Sequence, residues 1–273
     1  MTALSFDLIS DLHIDHWLNQ YEHTKQVSIE VFVDALVPAN PSEVLIIAGD
    51  LGHHNSQNEI LLRSFRRYYK TILLIFGNHD LYLVEISERW HYEDSMTRLK
   101  SMQYMAQRIE GVIVLDGSTI TIDGITYGGA AMWHDWSYGV SLGYSKSYLY
   151  DLWHRSMNDS NLIFPIHNQV SLENFFEDEL SKLERIFDQS QVIITHVGPD
   201  TSSMESKYQN SPVSTFFYFD GLQLLDRAKG KVWCFGHAHT HVDYQHREGC
   251  RLINNALGYP QERTGAKIRT IQL

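Results

Sequence analysis

The sequence has little cysteine and no long hydrophobic run. Its only two cysteines, Cys234 and Cys250, are too few for a disulfide framework, and this usage indicates a reducing compartment. No apolar stretch approaches the roughly 18 to 20 residues needed to cross a bilayer. No basic segment or small-residue cleavage site accompanies the apolar residues 4–9 near the N-terminus. We therefore expect a soluble, cytoplasmic protein without a membrane partner.

Basic residues are also scarce relative to acidic ones. The chain has 22 lysines and arginines against 33 aspartates and glutamates, which gives a formal net charge of -11 at pH 7. Such a balance does not attract a phosphate backbone and provides no basic stripe for a duplex, so we expect no stable nucleic acid partner. Two bound divalent cations would still add roughly four positive charges at one place, which would attract a small anionic substrate.

Short apolar runs alternate with helical segments along the chain. Runs rich in Val, Ile and Leu predict strands, and apolar residues at helical spacing predict helices between them. The predicted strands are residues 4–9, 44–48, 72–76, 192–195, 232–235, 251–254 and 268–272. The predicted helices are residues 27–37, which Pro38 ends, and residues 58–68. This order predicts an α/β fold.

The middle of the chain has a different pattern. Residues 119–122 and 125–127 flank Asp123-Gly124, a typical hairpin turn, and therefore predict antiparallel pairing within a mixed sheet system. A polar segment around 81–110 and a Trp- and Tyr-rich segment around 132–170 predict cap insertions above the strand ends. We expect residues 1–273 to form a single domain.

Five short motifs directly follow apolar runs, which is where an open α/β sheet presents side chains to a ligand. They are Asp11-Leu12-His13, Gly49-Asp50, Gly77-Asn78-His79-Asp80, Thr195-His196-Val197-Gly198-Pro199 and Gly236-His237-Ala238-His239. Each motif alone has an ordinary explanation, because short polar residues often cap turns and single histidines are usually just hydrogen-bonded. All five together are hard to obtain from structural needs, since none fills a core or caps a helix.

The residue types in these motifs suit metal ions. Alternate spacing points Asp11 and His13 to the same side of an extended segment, and it orients His237 and His239 alike. The two oxygens of a carboxylate can each bind a different cation, so we assign Asp50 the position between two ions. A set of Asp, Asn and His without thiolate predicts two divalent metal ions, with Mn first and Fe, Zn or Mg as alternatives.

In this order the motifs resemble those of the calcineurin-like metallophosphoesterases, which show Asp-x-His, Gly-Asp, Gly-Asn-His-Asp/Glu, a single His and Gly-His-x-His in series. The resemblance spans Asp11 to His239, nearly the whole chain. It implies a four-layer αββα sandwich of two mixed β-sheets flanked by helices, with a dinuclear metal site at the strand ends. It also implies an enzyme, a metal-dependent phosphoric ester hydrolase.

The resemblance gives each motif residue a role. It implies seven metal ligands, three for one ion, three for the other and one between them: Asp11, His13 and His239; Asn78, His196 and His237; and Asp50. His79 would stabilise the transition state or protonate the leaving oxygen, a contribution of roughly 10²- to 10⁴-fold. Asp80 would orient His79. A hydroxide that bridges the two ions would attack phosphorus in line.

The substrate is less sharply indicated than the chemistry. Protein serine/threonine phosphatases of this superfamily carry Gly-Asp-x-x-Asp-Arg-Gly, whereas Leu51-Gly52-His53-His54 follows Asp50 here. The pattern looks like the bacterial phosphodiesterase branch, which implies a small organic or nucleotide diester as substrate. The alternatives are a phosphomonoesterase, a metal-dependent nuclease and a non-catalytic scaffold. The acidic charge disfavours the nuclease, and the complete ligand set disfavours the scaffold.

Several residues outside the motifs are secondary candidates. Residues 128–135, 157–159 and 255–262 look like segments of uncharacterised bacterial and phage members. Six aromatic side chains either form a small core under a long loop or stack a base or aryl group: Trp133, Trp136, Tyr138, Tyr144, Tyr148 and Trp153. Three cations either contact phosphate or lie on the surface: Lys146, Arg155 and Arg263. Most of five further histidines are expected not to be ligands: His53, His54, His134, His241 and His246.

Overall fold

The computed structural model describes residues 4–19, 21, 24–164 and 169–273. Residues 165–168, at the end of the second predicted insertion, lie outside the described residues.

The strands are β1 (Ser5–Ile9), β2 (Val44–Ala48), β3 (Thr71–Ile75), β4 (Val112–Val114), β5 (Ser118–Ile122), β6 (Ile125–Gly129), β7 (Val192–Ile194), β8 (Val232–Phe235), β9 (His241–Gln245), β10 (Arg251–Asn255) and β11 (Arg269–Gln272). The α-helices are α1 (Ile14–Trp17), α2 (Gln26–Leu36), α3 (Asn55–Phe65), α4 (Ile86–Tyr92), α5 (Ser95–Gln107), α6 (Ser137–Ser141), α7 (Lys146–Ser156), α8 (Asp159–Leu162), α9 (Gln169–Phe187) and α10 (Leu222–Leu225). Short 3₁₀ helices occupy His79–Leu81, Ser206–Tyr208, Pro212–Phe217 and Pro260–Glu262.

The first sheet has the strand order β11-β1-β2-β3-β4. Strands β1 to β4 are parallel, and β11 is antiparallel to β1. Every residue of β2 is buried, as expected for a central parallel strand that is covered on both faces. Ile46 and Ala48 pack toward the second sheet, whereas Leu45 and Ile47 pack toward helices, because successive side chains of a strand alternate between its faces.

The second sheet has the strand order β5-β6-β7-β8-β10-β9. Its central strands are parallel, while β5 and β9 pair antiparallel at the two edges. The predicted hairpin forms between β5 and β6, where Asp123 and Gly124 both have positive φ, as a tight hairpin turn requires. The mixed sheets are therefore confirmed. Strand β9 was not predicted, because its residues are only partly buried and form no apolar run.

Three apolar cores separate four layers. Helices α2, α3 and α5 cover the outer face of the first sheet, with Phe65 of α3 in that core. Leu8 and Ile194 belong to the core between the sheets. Helix α9 covers the second sheet, where Phe187 packs with Trp233. The four-layer αββα sandwich is confirmed. Among the described helices, none is both long enough and apolar enough to span a membrane.

The segment around 81–110 differs from the expected insertion. It contains α4 and α5, and α5 connects β3 to its parallel neighbour β4. Met102 and Ala106 of α5 are buried in the core beneath the first sheet. The carboxylate of Asp94 accepts the Thr97 N–H at 2.6 Å and so caps the start of the helix. Residues 95–107 therefore belong to the helical layer, as the crossover that a parallel pair needs.

The Trp- and Tyr-rich segment folds into α6, α7 and α8 over a small apolar cluster of its own. Trp133, Trp136 and Trp153 are buried in this cluster, where they pack with Leu149 and Phe216. For the three tryptophans the structure therefore favours the small core over a surface that stacks a base.

Candidate metal centre

Loops at the carboxyl ends of strands from both sheets meet at one place. They carry Asp11 and His13 after β1, Asp50 after β2, Asn78 after β3, His196 after β7, and His237 and His239 after β8. A bridge between Ser10 and Ala256 joins the two sheets at this edge. Six of the seven predicted ligands are buried, and His239 is partly buried. Residues far apart in the chain thus share one pocket.

Asp11, His13 and His239 form one potential ligand group, whose donor atoms all lie within 4.8 Å of one another. His13 Nε2 lies 3.0 Å from His239 Nε2, and His239 Nε2 lies 3.5 Å from Asp11 Oδ1. The Asp11 carboxylate is held from behind, because it accepts the His237 N–H at 3.0 Å and the Ser10 hydroxyl at 2.5 Å. The orientation of this carboxylate is therefore fixed by the backbone.

Asp50, His196 and His237 form a second group, also within 4.8 Å. His196 Nε2 lies 3.1 Å from Asn78 Oδ1 and 3.3 Å from Asp50 Oδ2. The same Asp50 oxygen lies 3.7 Å from His13 Nε2 of the first group. Asp50 thus stands between the two groups, and all seven predicted ligands converge.

Hydrogen bonds to carbonyl groups orient two of the histidines. His196 Nδ1 donates to the Ala48 carbonyl at 2.9 Å, and His237 Nε2 donates to the Phe216 carbonyl at 3.1 Å. A carbonyl only accepts, so these nitrogens carry the ring hydrogen. His237 Nδ1, and His196 Nε2 once a cation displaces its proton, are the nitrogens left to bind a metal.

Glu262 fixes a third imidazole, a role that sequence analysis did not assign. His239 Nδ1 lies 3.0 and 2.8 Å from the two Glu262 oxygens, so Nε2 is the nitrogen that faces Asp11 and His13. A carboxylate behind a ligating imidazole is common at metal sites. Two carboxylates, one amide oxygen and four imidazoles, three of them in fixed orientations, fit two divalent cations. The sequence does contain one sign of this role, because Glu262 lies in the segment 255–262, which looks like a segment of family members.

Several of the predicted ligands have strained backbones. Positive φ angles occur at Asp11 (52°), His13 (40°), Asp50 (59°), His237 (64°) and His239 (42°). The left-handed region is unfavourable for residues other than glycine and persists only where surrounding contacts enforce it. This strain concentrates at the pocket, which is where it is expected at a functional site.

Two glycines permit the close approach of the loops. A Cβ atom on Gly77 would overlap the Asp50 carboxylate and the His196 ring. A Cβ on Gly49, where φ is 91°, would overlap the same imidazole. Glycine is required here because the backbone passes directly beside the ligand atoms.

The charges in the pocket compensate one another. Burial raises the pKa of Asp50, but His196 and His79 outweigh burial and hold this pKa well below its ordinary value. Burial lowers the pKa of His196, but the Asp50 carboxylate outweighs burial and raises this pKa to about 9. For His13 burial dominates and lowers the pKa to about 4. Asp50 is therefore ionised and His13 neutral, the forms that metal ligation needs, whereas His196 is protonated beside Asp50 and would release a proton when a cation binds.

His79 lies beside both groups, with its ring centroid 4.4 Å from that of His13. His79 Nδ1 lies 3.0 Å from His53 Nε2, and His53 Nδ1 lies 2.8 Å from an Asp15 carboxylate oxygen. The Asp15 carboxylate only accepts, so His53 Nδ1 carries a hydrogen and donates to it. With that single ring hydrogen on Nδ1, His53 Nε2 accepts from His79 Nδ1. His79 Nε2, 3.3 Å from the Tyr259 hydroxyl oxygen, is left for the substrate side.

Asp80 does not take the position expected for it. Its carboxylate accepts three backbone N–H groups, those of Gly77 at 2.8 Å, Asp50 at 3.0 Å and Leu51 at 3.2 Å. The side chain therefore points beneath the loops and fastens the loop after β2 to the loop after β3. The contact with the His79 ring, which the resemblance implies for Asp80, is made by His53.

Asn78 is held by a residue from the second insertion. Asn78 Nδ2 donates to Asp159 Oδ1 at 2.7 Å and to the Tyr82 hydroxyl oxygen at 3.1 Å. The Tyr82 hydroxyl also donates to Asp159, at 2.5 Å. With its amide nitrogen engaged on both partners, Asn78 presents Oδ1 to the ligand group. The sequence alone assigns Asp159 no role, although the segment 157–159 looks like a segment of family members.

The secondary candidates mostly lie elsewhere. Lys146 pairs with Glu173 at 3.0 Å, Arg155 Nε donates to the Asp151 carbonyl at 3.1 Å, and Arg263 is exposed. All five further histidines lie outside the two ligand groups, and of these His53 contacts His79. The other four are His54, His134, His241 and His246. A cavity of about 510 Å³ opens over Asp50, Asn78, His79, His237 and His239, and none of the six aromatic candidates, all of them described, lines it.

Comparisons with known proteins agree with this architecture. A phosphopantetheinyl hydrolase from Mycobacterium tuberculosis has a similar structure, with a TM-score of 0.72 and 18% sequence identity over 98% of this chain and 96% of that chain. A dimetal phosphatase from Danio rerio matches with a TM-score of 0.51 and 13% identity over 99% of this chain and 93% of that one. At these identities the likeness concerns the fold.

Sequence comparisons identify the family. An uncharacterised protein of Acanthamoeba polyphaga mimivirus is 24% identical over 246 residues, which are 82% of this chain and 82% of that protein. The family model for calcineurin-like phosphoesterases matches residues 4–241, nearly the whole chain. The chain therefore belongs to the calcineurin-like phosphoesterases, a family of metal-dependent hydrolases of phosphate esters.

Proposed function

We propose that this phosphoesterase is a phosphodiesterase of small organic or nucleotide substrates. The observation that carries the proposal is the meeting of two potential ligand groups at Asp50, beside His79 and at the floor of one cavity. A phosphoryl group on that floor would contact both groups at once. After Gly49-Asp50, the x-x-Asp-Arg-Gly continuation of protein phosphatases is missing, which favours a small substrate over a phosphoprotein.

The proposed ligands form two sets, one for each ion, which correspond to the two potential ligand groups described above. Asp11, His13 and His239 would hold one divalent ion, Asn78, His196 and His237 the other, and Asp50 would contact both. We propose Mn for both positions, with Fe, Zn or Mg as alternatives, since the donors are oxygen and imidazole nitrogen without thiolate. Bound divalent cations would neutralise the phosphoryl oxygens and activate a water for attack on phosphorus.

His79 would act on the leaving oxygen. Its Nε2 lies on the cavity side, while its Nδ1 is held by His53. An imidazole held at one nitrogen presents the other in a fixed direction. Because the neutral ring donates its single hydrogen from Nδ1 to His53, His79 would donate a proton from Nε2 to the departing ester oxygen in its doubly protonated form. Asp15 supports this arrangement through His53, since its carboxylate balances positive charge that develops on the two rings.

The second insertion would form a cap within a single domain. Met157 and Asn158, between α7 and α8, line the cavity, and Asp159 holds Asn78. We therefore propose that residues around 132–164 both complete the cavity and position one ligand.

The test is hydrolysis by metal-stripped protein to which Mn is added back. The panel contains para-nitrophenyl phosphate, bis-para-nitrophenyl phosphate and cyclic nucleotides. We expect Mn-dependent turnover of diesters and its loss in the Asp50→Asn variant. Asp226→Asn, which makes the same change at an exposed position, serves as the matched control and should keep full activity. Activity on the monoester alone would overturn the diesterase assignment, and activity that survives Asp50→Asn would overturn the proposed site.

A further inference from the structure

No lysine or arginine side chain of the described residues lines the cavity above the metal centre. All 22 lysines and arginines of the chain fall within the described residues, and none of them lines this cavity. Three lie near wall residues in sequence but not on the wall. Lys207 Nζ pairs with Glu205 at 3.0 Å, Arg155 donates to a carbonyl of its own helix, and Arg263 is exposed.

The charged groups of the wall are carboxylates. Glu205 and Glu262 line the cavity, and Glu262 is already engaged with His239. A phosphoryl group at the floor would be balanced by the metal centre. A second anionic group on the same substrate would approach these carboxylates and would find no lysine or arginine on the described wall to balance its charge, which is unfavourable.

The remaining wall is largely apolar and aromatic. It includes Met157, Met204, Tyr208, Val213, Phe217 and Tyr259. Phe217 packs on the His237 ring with centroids 4.9 Å apart, and Tyr259 stacks on His13 at 4.6 Å, so these rings are anchored to the ligand residues. Aromatic and thioether side chains favour contact with an uncharged organic group. A volume of about 510 Å³ lies within the range of small-molecule pockets.

We propose that the enzyme selects phosphate esters in which the phosphoryl group at the floor is the sole anionic group and the ester group in the cavity is uncharged and partly apolar. Esters that carry a further phosphate, including nucleoside diphosphates and triphosphates, are rejected by the walls. This selectivity rests on the proposed function, because the floor must first bind the phosphoryl group. It narrows the substrate class from phosphate esters in general to esters of neutral alcohols and neutral nucleosides.

The selectivity is tested with two diesters that share a leaving group. One is the para-nitrophenyl diester of thymidine monophosphate, and the other carries an additional phosphate on the free deoxyribose hydroxyl. For the Mn-loaded full chain we expect kcat/KM to be higher for the first by about tenfold or more. Calorimetric titration with the products, thymidine monophosphate and thymidine bisphosphate, should show weaker binding of the bisphosphate.

A variant that adds a positive charge to the wall tests whether the lack of lysine and arginine there causes the selectivity. Ser211 lines the cavity and its hydroxyl caps no helix, so Ser211→Lys adds a cation without removing a capping bond. We expect this variant to reduce the discrimination between the two diesters by about tenfold. The matched control is Asn210→Lys, which places the same charge on the adjacent exposed residue outside the wall and should leave the discrimination unchanged.

The outcomes separate this inference from the proposed function. Equal kcat/KM for the two diesters, or discrimination that Ser211→Lys leaves intact, overturns the selectivity while the enzyme remains a diesterase. Failure to hydrolyse either diester overturns the proposed function, and the selectivity falls with it.

Discussion

His79 Nδ1 lies 3.0 Å from His53 Nε2, so the imidazole that faces the cavity is supported by a second imidazole. Asp15 binds the far side of His53 at 2.8 Å. The chain His79, His53, Asp15 leads away from the cavity floor, and His53 itself does not line the cavity. Its influence on the reaction would therefore act through the orientation and charge of His79.

Replacement of His53 should affect turnover more than substrate binding. We expect His53→Ala to lower kcat by about 10²-fold with little change in KM, because His79 loses its support but the cavity wall is unchanged. Steady-state kinetics on a para-nitrophenyl diester measures both constants. His246→Ala is the control, since His246 is also buried and paired with an aspartate, at 3.1 Å, but lies outside the site. Equal effects of the two variants would contradict a specific role for His53.

Asp159 should influence metal binding through Asn78, whose amide group it holds. The Asp159→Ala variant frees the amide of Asn78 to rotate, so the affinity for one of the two ions should fall by about 10- to 100-fold. Calorimetric titration of the metal-free protein with Mn measures this change without reference to activity. Asp151→Ala, at an exposed position of α7, should leave both affinities unchanged. Unaltered Mn binding in Asp159→Ala would show that Asn78 needs no such support.

Asp80 should stabilise the loop after β2 and the loop after β3, because it accepts hydrogen bonds from both. The Asp80→Ala variant leaves three buried N–H groups without their acceptor, so the free energy of unfolding of the metal-free protein should fall by about 3 kcal/mol or more. Urea denaturation measures the change, with Asp226→Ala as an exposed control. Loss of activity at unchanged stability would instead restore the role in orienting His79 that the sequence suggested.

Asp243 links the two sheets and gives stability a dependence on pH. Its carboxylate accepts from Arg251 of β10 at 2.8 Å and from Arg269 of β11 at 2.6 Å. The hydrogen bond from Arg251 holds the pKa of Asp243 below its ordinary value. A lowered pKa stabilises the fold above the unfolded-state pKa, and this contribution is lost as pH falls through the folded-state pKa.

Asp243→Asn should therefore lower the free energy of unfolding by about 1 kcal/mol at neutral pH. The difference from the wild-type chain should shrink to nothing in acid, where the carboxylate of the wild type is protonated. Urea titrations across this range measure it. A difference of the same size at neutral and acid pH would contradict an ionic origin.

The α/β class and the convergence of the predicted ligands could be predicted because both depend on local sequence. Apolar runs define β2 and β8 directly, and the motif residues follow them at the strand ends, where parallel strands present side chains at one edge. The alternation of strands and helices alone did not give two sheets in four layers. The resemblance to the calcineurin-like metallophosphoesterases implied the two sheets and the four layers.

The partners of the ligands could not be predicted in the same way. Asp159 reaches Asn78 across 81 residues of sequence, and Glu262 reaches His239 across 23, so no local pattern connects either pair. Helix α5 looked like an insertion because its outward face is polar and few of its residues are buried. Asp80 adjoins His79 in sequence, but its side chain points beneath the loop, and only the backbone geometry reveals this.

The central claim is that seven side chains from both sheets hold two cations around Asp50. Elemental analysis of the Mn-reconstituted, desalted chain tests it most directly. We expect two Mn ions per chain in the wild type and a loss of tight binding at both positions in Asp50→Asn. An unmodified chain that retains no transition metal after reconstitution, or an Asp50→Asn variant that retains both ions, would contradict the account.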